Sequence, residues 1–128
     1  MQTSFEATTE TMTVRVRVSY LHQHSEPEAG RFLWAYHITI INRGGETVQL
    51  LRRSWEITDA TGYTQCVHGD GVVGEQPILP PGGQFTYSSA APLGTSCGFM
   101  VGTYHMQATN TGRLFDIAVP AFSLDSPS

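Results

Sequence analysis

A chain of 128 residues with 40% hydrophobic and only 14% charged side chains can form one domain whose core needs no disulfide or structural metal. Its net charge of −4 excludes a nucleic-acid binder, because neutralising phosphates takes a basic face. The fixed cations are seven arginines and no lysine, which removes Schiff-base, pyridoxal phosphate and phosphate-loop lysine chemistry while leaving arginine forks for anions.

Residues 1–13 are polar and threonine-rich and are expected to be a flexible segment without the apolar stretch of a signal peptide. Val14 to Tyr20 alternates apolar and polar residues, the period of a half-buried strand. Leu21 to Arg31 carries proline, glycine and charge and reads as a loop. Phe32 to Ile41 is apolar on both faces and is expected as a central strand, ending at the turn Asn42-Arg43-Gly44-Gly45. Thr47 to Leu51 and Trp55 to Thr58 follow as two strands. Asp59-Ala60-Thr61-Gly62 is a type I turn into a hairpin partner, Tyr63 to His68. Gly69 to Pro81 is irregular. Phe85 to Ser89, Phe99 to Ala108 and Leu114 to Val119 complete the strands, and Phe122 and Leu124 offer one more edge segment. No stretch of ten or more residues has helical periodicity. The expectation is an all-β sandwich of seven to eight strands, immunoglobulin or fibronectin type III in kind, over residues 14–125, with a tail at 126–128.

Two enzyme signatures occur and both lack their structural context. Gly69-Asp70-Gly71-Val72-Val73-Gly74 matches G-x-G-x-x-G, which holds a pyrophosphate at a helix N-terminus. Pro77, Pro80 and Pro81 forbid a helix after it, so what remains is a positive-φ loop or a nest of backbone N–H groups for a small anion. Gly94-Thr95-Ser96-Cys97-Gly98 matches the G-x-S-x-G nucleophile elbow, but the strand-like segment Phe99 to Met106 follows where a helix is needed. Arg52 and Arg53 are the candidate cations beside the Gly69–Gly74 loop. His22 and His24, two apart in an extended segment, would share one side, with Glu26 and Glu28 beyond, as a metal pair needs. His37, His68 and His105 sit on or beside strands and read as packed or hydrogen-bonded surface residues. Cys66 and Cys97 are too few for a disulfide framework and are expected to be reduced thiols.

Taken together, VRVSYL, GRFLWAYHITIINRGGETVQLLRRSWEITDATG, HGDGVVGEQPILPPGGQFTYSSAAPL, GFMVGTYHM and IAVPAFSLD resemble the ApaG family from about Val14 to Asp125. The resemblance implies a fibronectin type III-like sandwich and protein-interaction modules in appended versions of the domain. It also implies a genetic association with cobalt tolerance and magnesium efflux, with no catalytic residues to carry over. Thr95-Ser96-Cys97-Gly98 departs from the family's Thr-Pro-x-Gly, which further weakens the elbow. The expected function is non-enzymatic binding of a protein partner, in the cytoplasm, without a cofactor, nucleic acid or membrane insertion, as a monomer or weak homodimer. The alternative is a sensor of pyrophosphate or a dinucleoside polyphosphate, using Gly69, Asp70, Gly71 and Gly74 with Arg52 and Arg53. Direct binding of a divalent metal at His22 and His24 is the third reading.

Overall fold

The computed structural model describes residues 2–127. Among these residues the strands are β1 (Gln2–Thr9), β2 (Met12–Tyr20), β3 (Phe32–Asn42), β4 (Val48–Asp59), β5 (Thr64–Asp70), β6 (Ile78–Leu79), β7 (Gln84–Leu93), β8 (Cys97–Ala108) and β9 (Leu114–Asp125). They build two antiparallel sheets, β1-β2-β3-β7 and β5-β4-β8-β9, with β6 pairing β4 at its start. The expected two-sheet sandwich is therefore the fold, with nine strands rather than seven or eight.

β1 and β6, the latter inside the stretch expected to be irregular, add two strands, whereas two expected pairs each merge into one. Residues 2–9, expected to be flexible, form β1 and pair with β2 over its whole length. Phe5 anchors that strand against Phe122 of β9, with ring centroids 6.2 Å apart, and the Ala118 N–H donates to Thr9 Oγ1 at 3.1 Å. The two strands expected over 47–58 are one, β4, because a bulge between Leu50 and Arg52 absorbs the irregular register instead of ending the strand. β9 likewise runs through Pro120 as an edge strand, where a missing N–H costs no ladder bond, and its register shifts opposite Met100 and Gly102.

The inner faces follow the two-residue period of the strands. Trp34, Ile38 and Ile40 of β3 meet Leu50 and Trp55 of β4, Tyr104 of β8 and Phe122 of β9 in one buried cluster, each worth roughly 1.5–3 kcal/mol of burial. The buried polar groups are paired: the Trp34 Nε1–H donates to the Asp125 carbonyl at 2.9 Å. Buried Asn42 donates to the carbonyls of Glu46 and Leu79 and accepts from the Gly44 N–H. The Asp59 turn forms as expected. Its carboxylate accepts from the Thr61 hydroxyl and from the N–H groups of Thr61 and Tyr63. The Thr61 hydroxyl, followed by these backbone donors, holds the Asp59 carboxyl below its ordinary range, and desolvation only partly opposes it.

Candidate functional site

The sandwich has one closed and one open side. β9 packs across β1 and β2, whereas β5 and β7 are the outer strands of their sheets on the other side. Between them lies a cleft of about 360 Å³. Its apolar wall comes from Tyr36, Trp55, Ile57, Val67 and Tyr87, and Val73 stands at its rim. Tyr36 and Trp55 meet edge to face with centroids 5.8 Å apart, so the floor is a rigid aromatic surface. Behind it the Tyr87 and Tyr104 hydroxyls hydrogen-bond at 2.5 Å. Burial raises both phenols above their ordinary range; for Tyr87 the hydrogen bond to Tyr104 opposes it in part, and Arg53 opposes it weakly for both.

The Gly69–Gly74 motif forms one lip of this cleft, and its glycines have separate packing reasons. Gly69 lies beneath the Arg53 guanidinium, where a Cβ would come within 2.8 Å of Nη1. Gly71 has φ 62° and leaves no room for a Cβ beside the Glu75 carbonyl. Val72 and Glu75 exchange both backbone hydrogen bonds, at 2.8 and 2.9 Å. They enclose a two-residue turn in which Val73 and Gly74 have φ 44° and 82°; such a turn requires positive φ at both centres. Val72 itself is fully buried and pins the lip to the core.

This geometry limits the loop as an anion nest. The Gly71 N–H donates to the Leu51 carbonyl and the Val72 N–H to Glu75, so neither points at a ligand. Arg53 Nη1 donates to the carbonyls of Asp70 and Gly71 at 3.0 and 2.9 Å, holding the lip in place. Among the described residues Arg53 has no carboxylate partner, so the cleft carries one uncompensated cation.

The other expected groupings come apart. Arg52 and Arg53 are neighbours in a strand, and alternation sends Arg53 to the inner face and exposed Arg52 to the outer one. They do not act together, and Asp70 follows Arg52 to the outer face as its cross-strand neighbour. His22 and His24 lie on a single 3-10 turn rather than an extended segment. At three residues per turn, positions two apart point in different directions. His22 instead meets the Tyr20 ring edge at 6.0 Å, and among the described residues no three potential ligands gather for a metal. Ser96 of the apparent elbow sits in a turn leading straight into β8. Sequence reasoning missed the aromatic cleft, because Tyr36, Trp55 and Tyr87 come from three strands with no shared motif.

Comparison with known proteins places the chain among relatives over nearly its whole length. A family model for the ApaG domain matches residues 22–108. Protein ApaG from Rhodospirillum centenum is 54% identical over 123 residues, covering 96% of this chain and 94% of that protein. Protein ApaG from Brucella anthropi gives the same identity and coverage. Among solved structures, an ApaA protein from Bordetella pertussis superposes with a TM-score of 0.87 at 40% identity, covering 91% of this chain and 94% of that one.

Proposed function

Because the chain belongs to the ApaG domain family, we propose that it is a binding protein whose cleft catalyses no reaction. An extended segment of a partner protein seats at the open side between β5 and β7. The carrying observation is the aromatic-floored cleft flanked by two outer strands. An outer strand offers unpaired backbone groups to an added strand, and the cleft offers a pocket for one of its side chains. The Arg53 cation favours an acidic or carbonyl group beside that apolar side chain. The cobalt and magnesium phenotype implied by the family resemblance then arises through the partner. A cytoplasmic location agrees with this role, and among the described residues no helix is long and apolar enough to cross a membrane.

A pull-down with quantitative mass spectrometry tests the reading, using the tagged chain, Val67→Arg in the cleft, and Thr39→Arg on the outer face of the other sheet. Specific partners are expected with the native chain and Thr39→Arg and absent with Val67→Arg. The same proteins from all three would overturn the cleft assignment.

The second reading, a small-anion sensor, draws support from Arg53, which has no carboxylate partner among the described residues. The anion would meet that guanidinium rather than the loop amides. Calorimetry with pyrophosphate, with and without magnesium, checks it: heat that disappears in Arg53→Gln supports the sensor, and no heat at millimolar pyrophosphate removes it.

A further inference from the structure

The outer face of the β5-β4-β8-β9 sheet carries a second polar arrangement, remote from the cleft and independent of the binding role. Across neighbouring strands, the His105 Nδ1 lies 2.8 Å from Asp116 Oδ1, and His105 Nε2 lies 2.8 Å from Ser54 Oγ. His68 Nδ1 reaches the same Ser54 oxygen at 3.0 Å. The register produces this grouping: His105 is directly opposite Asp116, and Ser54 directly opposite His68.

The protons in this chain follow from the carboxylate. Ionised Asp116 only accepts, so neutral His105 carries its proton on Nδ1 and presents the Nε2 lone pair. Ser54 must then donate its hydroxyl proton to His105, and His68 donates its Nδ1–H to the Ser54 oxygen. Nucleophile, base and orienting carboxylate stand in the order and at the distances of a serine acyl-transfer triad, which is recognised by geometry rather than by sequence position. Thr103 lies directly opposite Ser54, and half-buried Val101 and exposed Phe99 follow on the same face of β8 at every second position, further along the sheet.

We propose that Ser54 is a nucleophile for short-chain aryl esters, with His105 as general base and Asp116 as its positioning residue. Ser54 Oγ attacks the ester carbonyl while its proton passes to His105 Nε2. The tetrahedral intermediate expels the phenoxide, which takes that proton, and the acyl group stays on Ser54. Water then attacks the acyl-serine as its proton passes to His105, and the second tetrahedral intermediate expels the Ser54 oxygen, which takes that proton back while the carboxylic acid leaves. Arg52, directly across from His105, is the cation on this face for the developing oxyanion. The strand amides are committed to the sheet, so no backbone oxyanion hole forms. Asp116 is also 65% exposed, so turnover is slow.

The test uses the full chain in a Cys66→Ser background, since the Cys66 thiol is exposed and would itself consume esters. A fluorophosphonate probe followed by peptide mapping is expected to mark Ser54. Hydrolysis of p-nitrophenyl acetate is expected to fall at least about 100-fold in Ser54→Ala. His105→Ala should lose labelling and regain it with added imidazole. Asp116→Asn should shift the His105 proton to Nε2 by nitrogen-15 NMR and lose labelling with the fold intact. A probe that leaves Ser54 unmodified, or labels it equally after His105→Ala, overturns the proposal.

Discussion

The buried tyrosine pair offers a measurement in which two single changes cost more than the two together. Tyr104 is 0% and Tyr87 7% exposed, and their hydroxyls bond each other at 2.5 Å. Replacing either by Phe removes the bond and strands the other hydroxyl in the core, at about 1–3 kcal/mol. Replacing both leaves no orphan, so the double variant should lie within about 1 kcal/mol of the native chain. The two single costs sum to about 2–6 kcal/mol against at most about 1 kcal/mol for the double variant, so the expected coupling is about 1–6 kcal/mol, read from urea unfolding of the four proteins at pH 7 with a constant m-value. Alkaline pH gives a second readout. Burial raises both phenols, so their contribution is constant below about pH 10, where unfolded tyrosines are still protonated. Above it the unfolded chain loses protons that the native state keeps, and stability falls by about 1.4 kcal/mol per pH unit for each group. The double Phe variant should lose that part of the slope. If the two single costs simply add, water from the cleft is satisfying the orphaned hydroxyl, and the reasoning fails.

Three further outcomes follow from the backbone and the buried amide. Val73 is β-branched at φ 44°, so Val73→Asn should stabilise the fold by about 1 kcal/mol, seen as a rise of a few degrees in Tm. Gly71→Ala puts a Cβ against the Glu75 carbonyl at positive φ, and should cost about 1–3 kcal/mol and raise hydrogen exchange at Val72 and Glu75. Asn42→Ala releases the carbonyls of Glu46 and Leu79 and the Gly44 N–H. It should cost at least about 2 kcal/mol in urea unfolding.

Where the sequence spoke clearly, a single physical signal was strong. β2 alternates without interruption, β3 carries an apolar side chain at nearly every position, and Asp59 to Gly62 has the side chains that a turn uses. β1 was missed because Phe5 and Ala7 are the only apolar residues in a threonine-rich run, and the packing of Phe5 depends on Phe122, more than a hundred residues away. β4 looked like two strands because Arg52, Arg53 and Ser54 interrupt the apolar pattern. Their polarity belongs to the two surfaces they reach, since Arg53 faces the cleft and Arg52 and Ser54 face outward.

The same contrast separates the conspicuous motif from the arrangements that carry chemistry. G-x-G-x-x-G is visible because its residues are consecutive, and consecutive glycines report on one stretch of backbone. Here they report a lip built from a close Arg53 contact, a left-handed residue and a two-residue turn. Ser54 and His105 are 51 positions apart, and their meeting depends on the bulge between Leu50 and Arg52 as well as on the strand order. Shifting β4 by one residue would turn Ser54 inward and bring Arg53 out, exchanging the two sites' polar groups. The bulge therefore sets the chemistry of both faces at once. Removing one residue from it should disturb the cleft and the serine together, whereas Ser54→Ala should leave the cleft's binding intact.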